Sequence, residues 1–258
     1  MDRFEKPQIA ALEGQRIVFN FAGATGAVQS NEEAQRNLME ECHPQLGLFQ
    51  ASAQLDPSPM VVFCSSRLVY GSPQYLPVDE AHPLAPASMY AVHKITLERY
   101  LHVFAQTDGL PFCVLRVSNP YGPHAPAGPR TYGLINSFIR LAAEGRPLTI
   151  FGDGEQKRDY IYVDDTIIAF LVCAMTPGCQ GRTFNLGGRR PLQIREAAEQ
   201  IIRAAGKSTL EHVPWPQEHQ GVETGDYVTD MSNLDGQIRL PPQINFQQGL
   251  RRTLAALD

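Results

Sequence analysis

Tyr90 and Lys94 stand four residues apart, 24 residues beyond Ser66, and these three side chains together can move a proton on and off an alcohol or sugar hydroxyl. A phenol titrates near pH 10, at about that value in model peptides, so tyrosine works as a base near neutrality only when its phenolate is stabilised. Positions i and i+4 of a helix share a face. A helix over this segment therefore brings the Lys94 ammonium close to the Tyr90 oxygen and lowers its pKa through charge. Ser66 completes the site as a hydrogen-bond donor. The plain alternative is a surface i,i+4 pair on an amphipathic helix, and the surrounding segments decide between the two.

Short β-branched or aromatic runs alternate with helical patterns around these residues. They run Arg16 to Phe21, a polar helix-like stretch near Glu32 to Cys42, Met60 to Cys64, a helical pattern from about Ser88 to Ala105, and Phe112 to Val117. That alternation predicts βαβ units and a doubly wound parallel sheet, whose ligands lie at the carboxyl ends of the strands. Ser65 and Ser66 follow one strand and Asn119 follows another, so all three fall at that edge. Past Asn119 come Pro/Gly-rich loops, an amphipathic helix from about Tyr132 to Glu144 and the turn Gly152-Asp153-Gly154, a pattern expected of a smaller lobe. Thr166 to Met175 is a strongly apolar helix expected to be capped by Asp164 or Asp165, both then structural, and Arg182 to Leu186 is expected to return to the main sheet as a strand. A helix from Pro191 to about Ala205 and a terminal one near Gln247 to Leu257 complete the reading.

With 258 residues, 43% hydrophobic content and a net charge of −5, the chain can bury a substantial core and has no basic block suited to nucleic acid or an anionic membrane. Its only lysines are Lys6, Lys94, Lys157 and Lys207, which makes a lysine beside Tyr90 less casual. The five cysteines show no C-x-x-C spacing; Cys64 and Cys113 fall in apolar runs where a buried thiol is the default. His93 lies off the Tyr90/Lys94 face with no ligand spacing around it, so no metal role is assigned. No signal peptide or spanning segment is visible, and a cytoplasmic protein is expected.

Read in order, these segments resemble the extended short-chain dehydrogenase/reductase family, in particular the NAD-dependent nucleotide-sugar epimerases and dehydratases typified by UDP-glucose 4-epimerase. Val18 to Gly23 is similar to the family's fourth strand, Asn37 to the asparagine of its next helix, and Phe63-Cys64-Ser65-Ser66-Arg67-Leu68-Val69-Tyr70-Gly71 to its serine strand and VYG turn. Tyr90 to Lys94 matches the catalytic helix, Arg116 to Pro123 the R-x-x-N-x-Y-G-P element, Phe151 to Asp165 the GDG…RD…VDD segment, and Asn185 to Gly188 the N-x-G loop. The resemblance implies an α/β fold with a Rossmann-like, NAD-binding part over residues 1–118 and about 156–186. Residues 119–155 and 187–258 would then form the substrate-binding lobe. It implies Tyr90 as general base and acid, Lys94 as the group that lowers its pKa and binds the nicotinamide ribose, and Ser66 at the reacting oxygen. NAD would lie against Ala22, Gly23, Asn37, Ser65, Tyr90 and Lys94, and the nucleotide-sugar substrate against Ser66, Asn119 and Arg158, whose planar fork suits a diphosphate. Asn119, before a proline, also reads as a turn residue, and Arg158 as a salt-bridge partner of a nearby acid. A homodimer through the Tyr90 helix is implied as well.

Three departures qualify the match. Dehydratases of the family carry Asp-Glu after the serine position, where this chain has Arg67-Leu68, which speaks against dehydration. The family's second diphosphate-binding arginine precedes the aspartate that is here Asp230, yet Glu218 to Thr229 contains no arginine. Finally, Ala22 to Gln29 has a G-x-x-G look, but only one helix fits between Gly26 and Met60. The run Arg16 to Phe21 is therefore expected to be the fourth strand, with Asp2 near the end of the third. The incomplete doubly wound sheet would then lack its first three strands and glycine loop, through a late start codon or a deletion. Three functions follow as expectations: an NAD-dependent nucleotide-sugar epimerase, an NAD(P)H-dependent 4-keto-sugar reductase, or a catalytically inactive truncated homologue.

Overall fold

The computed structural model of the protein describes residues 10–23, 27–125, 133–217 and 223–257. Its first part runs β1 (Ile17–Asn20), α1 (Ala27–Glu32), α2 (Ala34–Ala53), β2 (Met60–Ser66), α3 (Met89–Asp108) and β3 (Phe112–Val117). There follow β4 (Asn119–Tyr121), α4 (Leu134–Ala143), β5 (Leu148–Phe151), β6 (Lys157–Arg158), β7 (Tyr160–Tyr162), α5 (Val163–Met175) and β8 (Arg182–Leu186). The chain closes with β9 (Leu192–Gln193), α6 (Ile194–Ala205), β10 (Leu210–Val213), α7 (Ser232–Gln237) and α8 (Phe246–Ala255).

Strands β1, β2, β3 and β8 form one parallel sheet in that order. Parallel strands are covered on both faces, and alternate side chains here divide between two cores. Val61, Phe63, Phe112 and Val114 pack against Phe49 of α2 and Leu97 and Leu101 of α3. Val62, Cys113, Leu115 and Phe184 pack against Ala169, Phe170 and Cys173 of α5. Each large side chain so buried contributes roughly 1.5–3 kcal/mol, so β2 and β3 are the most firmly held elements of the sheet. The register pairs Ser65 with Arg116 and Ser66 with Val117, which fixes both serines at the carboxyl edge. The smaller lobe has its own core, in which Phe138, Ile139, Leu148, Ile201 and Leu250 meet between α4, α6, α8 and the parallel pair β5/β10.

Arg182 to Leu186 joins β3 in the main sheet as expected, and each anticipated helix is present with shifted ends. Two readings need correction. The polar stretch near Glu32 to Cys42 is two helices, and the second continues to Ala53 with Pro44 inside it, because its apolar face docks through Phe49. The helix expected at Thr166 begins earlier, at Val163, so Asp164 and Asp165 lie in its first turn and cap nothing. Negative charge there still suits the helix dipole, and the Asp165 Oδ2 accepts from the Ile244 backbone N–H at 2.9 Å. Among the described residues no helix is long and apolar enough to cross a membrane.

Candidate active site

The helix carrying Tyr90 is anchored at its start by neighbours on both sides. Its first backbone N–H groups have no helical acceptor. Met89 N donates to Asn31 Oδ1 at 2.8 Å, Tyr90 N to Ser30 Oγ at 3.0 Å, and Ala91 N to the N-cap Ser88 Oγ at 3.3 Å. Caps of this kind contribute about 1 kcal/mol each and here also fix where Tyr90 begins its turn. On the other side, β2 ends at Ser66, whose Oγ accepts from Leu68 N at 3.2 Å. The turn that follows ends at Gly71, with φ +64°, where a side chain would collide with the Ala85 carbonyl. Only glycine is free of that conflict.

Ser66, Tyr90 and Lys94 converge. The Ser66 hydroxyl faces the Tyr90 phenol closely enough to favour its ionised form. The Lys94 Nζ lies 5.6 Å from the Tyr90 ring centroid and 5.1 Å from that of Phe63. A fourth member has no counterpart in the sequence reading: Glu41 of α2, fully buried, pairs with Lys94 at 2.8 Å. Asn37, Glu41 and Gln45 form a buried polar stripe at four-residue spacing on α2. Asn37 Oδ1 meets His93 Nδ1 at 2.7 Å. Gln45 Nε2 donates to Glu41 Oε1 at 3.3 Å, and Asn20 Nδ2 donates to Gln45 Oε1 at 2.8 Å. Three polar residues on one helix face were the signal that would have found Glu41.

This carboxylate changes the electrostatics of the phenol. Burial pushes the Tyr90 pKa above its ordinary value; Lys94 and Ser66 pull it down, while Cys64 and Glu41 push it up, and the net shift is upward. Burial works against the Lys94 ammonium, but Tyr90 and Glu41 outweigh it and hold its pKa above the ordinary value. Cys64, expected to be an ordinary buried thiol, is half-buried beside this pair, and burial pushes its pKa up to about 11.

Across Ser66 lies a second charged group. Arg67 leaves the end of β2 directly after Ser66, donates from Nε to Asn119 Oδ1 at 3.3 Å and from Nη1 to Thr224 Oγ1 at 3.1 Å, and lies 5.0 Å from the Tyr227 ring centroid. Arg158, 5% exposed, pairs with Glu223 at 2.5 Å and donates to the carbonyls of Lys157 and Gly225. Burial first, then the Arg158 guanidinium, lowers the Arg67 pKa to about 10. Asn119 spends its other end on the Asp159 carbonyl, at 2.9 Å.

The remaining candidates sit around these two groups. Ser65 donates to Glu98 Oε1 at 2.5 Å inside a buried network. There Arg116 grips Glu98 at 2.7 and 3.0 Å and donates to the Tyr70 hydroxyl at 2.9 Å, which in turn donates to Asn185 Oδ1 at 2.6 Å. The Ala22 carbonyl lies 3.5 Å from Lys94 Nζ. Gly23 has φ +146°, and a Cβ on it would stand 2.5 Å from Glu41 Oε1, so only glycine lets this backbone close on the ion pair. An ammonium and a carboxylate beside exposed backbone form a donor and acceptor set suited to the vicinal hydroxyls of a ribose, and in that respect the residues fit the nicotinamide end of the expected dinucleotide. Ala24 to Gly26 and Asp2 lie outside the described residues.

Comparison with known proteins identifies relatives of the chain. Residues 5–187 match the model of the NAD dependent epimerase/dehydratase family. The chain is 28% identical to an uncharacterized UDP-glucose epimerase of Bacillus subtilis, over 96% of this chain and 76% of that protein. It is 30% identical to the UDP-N-acetyl-alpha-D-glucosaminuronate decarboxylase of Bacillus cytotoxicus, over 92% and 75%. Among solved structures it is similar to the UDP-N-acetylglucosamine 4-epimerase of Methanobrevibacter ruminantium, in complex with UDP-N-acetylmuramic acid. That match has a TM-score of 0.89 and 26% identity, and covers 100% of this chain and 82% of that one.

Proposed function

Because the chain belongs to the NAD-dependent epimerase/dehydratase family, we propose that it is a nucleotide-sugar epimerase that inverts a sugar carbon, C4, with Tyr90 as the proton-transfer group. The observation that carries this reading is the convergence of Ser66, from the end of a sheet strand, with Tyr90 and Lys94 from a separate helix. NAD, when bound, supplies the hydride acceptor and donor. Lys94 and Glu41, with the backbone of Ala22 and Gly23, would hold its ribose. Ser66 donates to the reacting sugar oxygen and keeps it at Tyr90. The Tyr90 oxygen takes the hydroxyl proton as the alcohol becomes a ketone and returns it when the ketone is reduced from the opposite face. The relatives' substrates suggest UDP as the nucleotide.

One observation favours a second reading. The upward shift of Tyr90 keeps its phenol protonated, which suits a group that only donates. A reductase of a 4-keto sugar using NAD(P)H needs that donation alone. Homodimer formation through α2 and α3 is part of the proposal, supported by the exposure of Met39, Val92 and Val103 on those helices.

The test has two steps. Nicotinamide dinucleotide released by acid from the purified protein is quantified first, and near-stoichiometric NAD is expected. The protein is then incubated with a UDP-hexose, and the C4 configuration is followed by proton NMR, with Tyr90→Phe expected to lose about 10²–10⁴-fold in rate. Net consumption of reduced cofactor would transfer the assignment to the reductase, and a protein that neither holds nor binds a dinucleotide would end both.

A further inference from the structure

We propose that Arg67, backed by Arg158, forms an anion subsite that takes a carboxylate carried by the sugar itself, so that the preferred substrate is a nucleotide-linked hexuronic acid. This rests on the reading that Ser66 faces the reacting C4 oxygen.

Charge balance is the first argument. Among the described residues Arg67 hydrogen-bonds only the Asn119 amide and the Thr224 hydroxyl and lies against the face of Tyr227; Asp159 and Glu223 act on its charge, but neither lies within ion-pair distance. Arg158 is already matched by Glu223. Asp159, the other acid nearby, is fully buried, and burial raises its pKa; its Oδ2 accepts from Thr229 N at 3.1 Å. Two guanidinium groups thus share this place with two carboxylates, but Glu223 is spent on Arg158 and Asp159 on the Thr229 backbone, which leaves Arg67 without an ion-pair partner among the described residues. Such charges are normally paired, and an incoming anion is the partner that is missing. Asn119 and Thr224 hold the guanidinium in one orientation, as a carboxylate-binding fork requires.

Position on the chain selects the kind of anion. Arg67 is the next residue after Ser66. In a hexuronic acid the carboxylate is borne on C5, the ring carbon beside C4. A C4 oxygen at Ser66 and a carboxylate at Arg67 are thus neighbouring groups met by neighbouring residues. The diphosphate hangs from C1, across the ring.

The experiment is calorimetric titration of the full chain as purified with UDP-glucuronic acid, UDP-glucose and UDP, repeated on Arg67→Gln and Arg67→Lys. The wild type is expected to bind UDP-glucuronic acid roughly tenfold or more tighter than UDP-glucose, as one charge-assisted pair allows. Arg67→Gln should erase that preference while UDP-glucose affinity stays within twofold, which also shows that the variant is folded. Arg67→Lys should keep part of the preference. Equal affinities in the wild type overturn the proposal, as does an Arg67→Gln variant that loses UDP and UDP-glucose equally, because the anion is then the diphosphate. Failure of all three ligands to bind the wild type would sink the nucleotide-sugar reading itself, an outcome distinct from binding without preference.

Discussion

Two cations flank Ser66, Lys94 buried and Arg67 half-buried, and they are treated oppositely. Lys94 is met by Glu41 at 2.8 Å, with both side chains almost wholly buried, so its charge is cancelled from within the chain. Arg67 is held by an amide, a hydroxyl and an aromatic face, and Asp159 and Glu223 act on its charge without an ion-pair contact. A cation neutralised by its own fold is part of the architecture, and its influence on Tyr90 is exerted as one half of an ion pair. One with no carboxylate in ion-pair contact remains available to a ligand. Under the proposal for Arg67, rigidity belongs to the Tyr90 side and selectivity to the Arg67 side of the same strand end.

Removal of each partner tests that contrast. Glu41→Ala leaves a buried ammonium uncompensated and is expected to cost about 3–5 kcal/mol in denaturant unfolding. Because the folded pKa of Lys94 is raised, its contribution is fully present below about pH 10.4, the unfolded value, and is lost as pH climbs through the folded one. The stability gap between the variant and the wild type should therefore be widest near neutral pH and narrow as pH rises through the folded value. A cost below about 1 kcal/mol would mean that the pair is not structural, against the usual range for buried pairs.

Glu41→Gln is milder, since the amide oxygen still accepts from Lys94. Removing the negative charge removes one of the influences that raise Tyr90, so its phenol should ionise at lower pH. Ultraviolet absorbance titration, with Tyr90→Phe as the blank, reads that shift; an unmoved or raised transition would show that Glu41 does not govern the phenol. On the other side, Arg67→Gln should change unfolding stability by no more than about 1 kcal/mol, because lost neutral hydrogen bonds are offset by the relief of a half-buried charge. A loss as large as that of Glu41→Ala would erase the contrast. The smallest effect concerns Cys64. Its thiol, raised to about 11, should alkylate more slowly at pH 8 than a free cysteine, and faster in Glu41→Gln. Equal rates in the two proteins would detach Cys64 from the pair.

Much of this was readable before any coordinates. Strand runs rich in β-branched residues marked β1, β2, β3 and β8, and four-residue spacing put Tyr90 and Lys94 on one face, which the ring-to-ammonium distance reflects. Glu41 was not readable, because no motif links a helix carboxylate to a lysine in a distant helix; only the stripe Asn37, Glu41, Gln45 hinted at a buried polar face. Arg67 was noticed as a departure from a pattern, yet its partners come from Asn119, Thr224 and Tyr227, brought together by folding alone. The aspartates before Thr166 misled for a local reason: acids favour both the cap and the first turn of a helix, and sequence does not separate the two positions.

The network of Ser65, Glu98, Arg116, Tyr70 and Asn185 has a consequence for how the sheet comes apart. Its members belong to β2, α3, β3, the turn after β2 and β8, and Glu98 and Arg116 are almost completely enclosed. No subset of these elements can satisfy the group, because removal of any one strands a charge or a hydroxyl in an apolar interior. Partial opening is penalised as heavily as full opening. Amide protons of β2, β3 and β8 should then exchange with deuterium at one common, slow rate, the mark of a single cooperative unit rather than of strands that fray one by one.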